Sequence, residues 1–259
     1  MEILDRFGEA AREQLRLKTP PVAIKFLEQG EPIPQDMGRP LRDLGVPIRP
    51  CKAWNLARQS GLAIAMLEDD FSTACPAGMF IFGILEPVKP WLDGDLAYGI
   101  YAESREAAVN MERNVSRLEV GRYQGILLAP LEMTRFVPDL VMTYCDSKQA
   151  MQLVSASMWT CGEPLRFDMA ARGLCSDGVV QPFRVGRPVL AVPCGGDRTH
   201  GGTQDDELVF TAPLHQLEGI LGGLQAFART HGPGRLGGES ELRKKYNAMA
   251  QILDHKLGR

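Results

Sequence analysis

Five short apolar runs with strand composition are scattered along the chain, and their spacing limits the folds open to it. PPVAIKFL begins at residue 20, GILLAPL at 125, DLVMTYC at 139, RPVLAVPC at 187 and ELVFTAP at 207. Each is rich in β-branched or other apolar residues, and proline, glycine or acidic turn signals flank them, as for DLVMTYC behind Val137-Pro138-Asp139. A regular alternation of strands and helices would point to a doubly wound parallel sheet. Here the runs are separated by unequal mixtures of helices and loops, which predicts an α+β fold: a mixed sheet with flanking helices and glycine-rich loops that carry cysteines. One domain over residues 1–259 is expected; a two-lobed organisation stays open, with no boundary visible.

Helical spacing marks MEILDRFGEAAREQLRL at the start, KAWNLARQSGLAIAML with Gly61 as an interruption, SREAAVNMERNVSRL, and KQAMQLVSASMW with Ser147 as its cap. LHQLEGILGGLQAFART and ESELRKKYNAMAQILDHKL close the chain, joined by HGPGRLGG. The Pro/Gly-rich stretch from Glu31 to Pro50 reads as a long loop, and CPAGMFIFGI fits either regular type. A net charge of -3 and no Lys/Arg block disfavour nucleic acid and anionic lipid as partners. No run approaches the roughly 18 apolar residues of a membrane span. The amphipathic N-terminus lacks the form of a signal peptide, so a cytoplasmic location is expected.

Reduced thiols are expected in that compartment, and none of the six cysteines is paired as C-x-x-C. Cys51 opens a helix pattern, where backbone N–H groups stabilise a thiolate. Cys75 in ACPAG, Cys175 in GLCSDG and Cys194 in PCGG share a loop-like setting with glycine close behind. Cys145 ends an apolar strand and reads as a buried inert thiol; Cys161 fits a helix end. Four thiolates suffice for a tetrahedral sulfur site, which means an iron–sulfur cluster or zinc. Widely separated ligands on different segments favour a [4Fe–4S] cluster, with zinc as the alternative, because structural zinc prefers short paired spacings.

AVPCGGDRTHGGTQDDE, residues 191 to 207, is the most concentrated stretch of candidate chemistry. Gly195 and Gly196 let a cofactor come close to the backbone and expose N–H donors to sulfur. No G-K-[ST] follows and no G-x-G-x-x-G opens a helix, so phosphate loops are disfavoured. Asp197, Arg198 and His200 are the candidate catalytic residues: Arg198 can clamp an anion, and Asp197 or His200 can deliver a proton. An Asp197–Arg198 ion pair shaping a tight turn is the plainer account. Asp205, Asp206 and Glu207 read as a solvated strand edge. Trp54, Trp91 and Trp159 read as packing or pocket walls, and Lys25 as a strand lysine facing away from Ile24 and Phe26.

LKTPPVAIKF, CKAWNLAR, DDFSTACPAG, TRFVPDLVMTY followed by KQAMQLV, GLCSDGVV and PCGGDRTHGGTQDDELVFTAP together resemble the bacterial and archaeal family known as domain of unknown function 169, over about residues 15 to 225. The resemblance brings no activity with it. It implies that Cys51, Cys75, Cys175 and Cys194 fall in recurring motifs and that Cys145 and Cys161 do not. Two expectations follow. One is an iron–sulfur redox protein acting on a small anionic substrate, with an electron-transfer partner and with oligomerisation open. The other is a non-catalytic metabolite-binding or structural zinc protein whose glycine loop holds an anion.

Overall fold

A computed structural model describes residues 2–231 and 241–257. Six strands form one sheet: β1 (Val22–Glu28), β2 (Ile64–Leu67), β3 (Tyr123–Pro130), β4 (Leu140–Cys145), β5 (Val189–Ala191) and β6 (Leu208–Pro213). Their spatial order is β2-β3-β1-β4-β6-β5. The α+β architecture is as the sequence predicts, but every pairing of these strands is antiparallel where a mixed sheet was expected. A stagger explains how so short a link joins β3 to β4 on opposite sides of β1. Pro130 ends β3 beside Val22, whereas Leu140 starts β4 beside Ile24, so the chain need only step across β1.

Alternation along the strands feeds two apolar layers, because successive side chains point to opposite faces. Val22, Ile24 and Phe26 of β1, with Leu140, Met142 and Tyr144 of β4, pack against Trp54 and Ala57 of the Pro50–Ser60 helix. Ala23, Val141, Cys145, Phe210 and Ala212 face the other way. There they meet Leu4 and Phe7, Leu153 and Ala156, and Ile220, Leu221 and Leu224. Both faces are covered, which is why the strands read as continuous apolar runs rather than clean alternations.

Several local expectations change. Gly61 adopts φ +71, so the helix stops at Ser60 and LAIAML continues as β2. CPAGMFIFGI contains the helix Pro76–Ile81, and a short helix, Pro40–Leu44, interrupts the long loop. Asp146 rather than Ser147 caps the Ser147–Ser157 helix, in a reciprocal box with Gln149. Most of the HGPGRLGG linker lies outside the described residues.

The Ser147–Ser157 helix lies so close to Leu217–His231 that a Cβ on Gly223 would sit 2.4 Å from the Ala156 carbonyl oxygen. Gly223→Ala is therefore expected to cost about 1–3 kcal/mol by overpacking, read as a lower melting temperature. Gly219→Ala is the control. Its Cβ would meet Thr160 Cγ2 at an ordinary 3.5 Å, and helix propensity should make it neutral or stabilising. Equal effects at the two positions would show that this close approach is not what sets their tolerance.

Candidate four-thiol site

Four helix starts carry the four predicted cysteines. Cys51 is the second residue of Pro50–Ser60, and Cys75 is the residue before Pro76–Ile81. Cys175 opens a wide π-type turn, Cys175–Val180, and Cys194 stands just ahead of a second one, Asp197–Gly201. So the cysteines sit at or beside helical turns rather than in glycine-rich loops. None of the four starts has a side-chain cap; backbone carbonyls take several of their first N–H groups, Arg49 those of Lys52 and Ala53 and Gly173 those of Ser176 and Asp177. The Lys52 and Gly78 N–H groups lie close enough to Cys51 and Cys75 to favour their thiolates, while donating to the Arg49 and Cys75 carbonyls.

Every pair among these four thiols lies within electrostatic reach. Burial pushes the Cys51 thiol far up, and the charges of Asp197, Cys75 and Cys194 add to it. Burial raises Cys175 in the same way, with Cys75, Cys194, Cys51 and Asp197 behind it. Cys75 is raised by burial too, but Gly78 N–H and the Arg49 guanidinium oppose the shift. By themselves these groups hold neutral thiols; a cationic centre among them would reverse the balance and displace the protons. The remaining cysteines stand apart. Cys145 is buried in β4 and its thiol is pushed up to about 12, mainly by desolvation and then by Asp146. Cys161 is exposed.

Close backbone contacts fix this arrangement. A Cβ on Gly78 would come within 2.8 Å of Pro50 Cγ, so the Cys51 and Cys75 helix starts are pressed together. A Cβ on Gly201 would meet Asn55 Nδ2 at 2.4 Å and the Cys51 carbonyl at 3.0 Å, which seats the Cys194 segment on the Cys51 helix. Cys51 Sγ donates to the Gly196 carbonyl at 3.5 Å, so the described contact of this glycine with sulfur is through its oxygen, not its N–H. Gly195 needs no glycine for conformation and has open space where a side chain would be.

Behind the thiols lies a buried polar network. Asp197 is fully buried and accepts from Trp54 Nε1 at 2.8 Å, Asn55 Nδ2 at 3.1 Å, the Tyr144 hydroxyl at 2.9 Å and the Thr203 hydroxyl. Burial raises its carboxyl, and Thr203, Trp54, Tyr144 and the Arg58 charge offset only part of that rise. Burial and then the Asp197 charge hold the Tyr144 phenol well above its usual range, so it stays a donor. Arg58 makes a two-pronged bond to Glu207, at 2.6 and 2.9 Å, donates to Asn55 Oδ1 at 2.6 Å and stacks 3.7 Å above the Tyr144 ring.

Of the candidate catalytic residues, Asp197 is thus a positioning group, closed off from solvent. Arg198 does not pair with Asp197; its Nη1 donates to the Gln204 carbonyl at 2.8 Å and meets Asp205 at 3.5 Å. His200 is exposed. The three acids also part company with the strand-edge expectation. Asp205 pairs with Arg198 and Asp206 with Lys18, whereas Glu207 is buried in the Arg58 pair. Lys25 pairs with Glu31 at 3.2 Å. Sequence reasoning missed Arg58, although a signal existed: Cys51, Trp54, Asn55 and Arg58 follow the i, i+3, i+4, i+7 stripe, so the cation lies on the buried face.

Among the described residues, no three His, Cys, Asp or Glu side chains are arranged to hold a metal ion. A tetrahedral zinc holds its sulfurs at about 2.3 Å and so about 3.8 Å from one another. No helix among the described residues is long and apolar enough to cross a membrane.

A family model described as DUF169, uncharacterised ArCR, matches residues 12–223. An uncharacterised protein of Methanocaldococcus jannaschii is 25% identical over 218 residues, covering 83% of this chain and 91% of its own length. No solved structure matches the chain significantly.

Proposed function

The chain belongs to the DUF169 family, and we propose that it is an iron–sulfur redox protein whose Cys51, Cys75, Cys175 and Cys194 hold a [4Fe–4S] cluster. The observation that carries this is the packing of the segments that bear these cysteines: Gly78 against Pro50, Gly201 against the Cys51 carbonyl, and Cys51 Sγ on the Gly196 carbonyl, with Cys175 within electrostatic reach of the other three. Open space beside Gly195 gives room next to Cys194. Bound there, a cluster supplies single electrons. The protein's own groups hold its ligands: the Arg58–Glu207 pair and Asp197 fix the helix of Cys51 against the segment of Cys194. Exposed His200 is retained in this proposal as the candidate proton donor. Arg198 is already met by Asp205, so an anionic substrate is not assigned to it.

Protein purified without oxygen should be brown, with broad visible absorbance and iron and acid-labile sulfide in matched amounts on the order of four each per chain. Protein that stays colourless and iron-free after anaerobic reconstitution with iron and sulfide would refute the proposal. One zinc per chain by elemental analysis would support the structural zinc alternative instead.

A further inference from the structure

Four arginines line one open cleft of about 800 Å³, and none of their guanidinium groups has an ion-pair or hydrogen-bond partner among the described residues. Arg113 ends the Arg105–Arg113 helix, Arg117 and Arg122 lie in the link from that helix to β3, and Arg184 belongs to the Gln181–Val185 helix. Elsewhere arginines commonly meet a carboxylate, as Arg6 meets Glu218, Arg12 meets Glu132 and Arg39 meets Asp70. Arg117 is partly buried and still has no such partner. Four unmet guanidiniums, brought together from three segments, mark a place suited to an anion.

The frame of the cleft is firm. Leu118 N–H donates to the Ile81 carbonyl and Gly121 N–H to the Gly83 carbonyl, both at 2.9 Å, which ties the link carrying Arg117 and Arg122 to the end of the Pro76–Ile81 helix. Gly83 has φ +66, and a Cβ there would sit 2.5 Å from the Glu119 carbonyl oxygen, so the two backbones touch. Phe80, Tyr123 and Phe183 stand beside the arginines and are held by packing: Phe80 lies edge-on to Trp91 at 5.1 Å, and Phe183 lies 4.5 Å from Phe26. Their faces suit a flat apolar group. Charge narrows the class of anion. The lining holds two acids, Glu86 and Glu119, so two of the four positive charges are left over. A phosphate monoester carries about −1.5 to −2 near pH 7 and accepts from guanidinium forks, whereas a monocarboxylate carries only one charge.

We propose that this cleft binds a small phosphate monoester that bears a flat ring, its phosphate held among the four guanidiniums and its ring against the aromatic faces. The site stands independently of the cluster, since no cysteine lines it.

Phenyl phosphate, inorganic phosphate, benzoate and phenol separate the parts of this proposal. In calorimetric titrations of the full-length protein, phenyl phosphate should bind with a Kd on the order of 1 mM or below. Inorganic phosphate, which lacks the ring, and benzoate, which lacks the second charge, should each bind about threefold more weakly or worse, and phenol should give no measurable binding. Arg117→Gln and Arg184→Gln, on different segments, should each weaken phenyl phosphate about three- to tenfold. Arg184 is exposed, so its variant keeps the test available should Arg117→Gln fail to fold. Arg166→Gln removes the same charge from an exposed arginine outside the cleft and should leave the affinity unchanged. Absence of phenyl phosphate binding, equal binding of inorganic phosphate or benzoate, or an equal loss in Arg166→Gln would overturn the proposal. Each result can be read on iron-free protein, so its failure is distinct from failure of the cluster.

Discussion

Glu207→Ala is expected to destabilise the protein by about 3–5 kcal/mol, because it strands the Arg58 guanidinium in an interior where its side chain is 1% exposed. For a domain of this size that is a fall of roughly 6–20 °C in melting temperature. The loss is of a particular kind. Both Arg58 bonds to Glu207 vanish, while those to Asn55 and Thr19 remain, so the cation stays buried with half of its hydrogen bonds and without its counter-ion. Asn55 also donates to Asp197 and to the Cys51 carbonyl, and the disturbance therefore reaches both segments that carry site thiols. Glu207→Gln, which keeps the shape and deletes the charge, should recover only part of the stability. Arg58→Met combined with Glu207→Met should be less destabilised than Glu207→Ala alone, since removing both charges leaves none unpaired. Thermal unfolding of the three variants checks this. A Glu207→Ala protein that melts with the parent would show that the pair is no more than a surface contact in its effect.

The strands were legible because both faces of the sheet are apolar. β1, β3, β4 and β6 were each visible as a run of Val, Ile, Leu and aromatics that no solvent face interrupts. β2 was hidden, since Ile64–Leu67 continues the helical spacing of the preceding segment and only the left-handed turn at Gly61 separates them. Cys175–Val180 was misread for a related reason. CSDGVV carries turn residues, yet it is entirely buried, and tertiary packing overrides local preference there. The placement of the candidate cysteines was legible in part: Cys51 was expected to open a helix and does, whereas Cys75, Cys175 and Cys194 were read as loop residues and stand at or beside helical turns. Glu207 looked like its neighbours Asp205 and Asp206 because its partner, Arg58, is 149 residues away. Arg172 and Glu112 had no signal at all: their burial depends on Trp91 and Tyr101 closing over them.

The cysteines offer the sharpest separation between site and fold. Serine in place of Cys51, Cys75, Cys175 or Cys194 should each remove at least one iron from anaerobically prepared protein, and most should lose the cluster altogether. Serine at Cys145 or Cys161 should leave iron and sulfide unchanged. The contrast with Cys145 matters most, because that thiol is as buried as Cys51 and substitution there tests packing without touching the site. Any loss of stability common to Cys51→Ser and Cys145→Ser is then the cost of placing a hydroxyl in the core, whereas loss of iron at Cys51 alone reports ligation. Cys75 and Cys194 are less buried than Cys51 and Cys175, so their variants should fold best and give the cleanest reading. Iron, sulfide and melting temperature measured on all six variants decide the matter. The parent's full iron content in any of the first four, or iron lost in either of the last two, would redraw the ligand set.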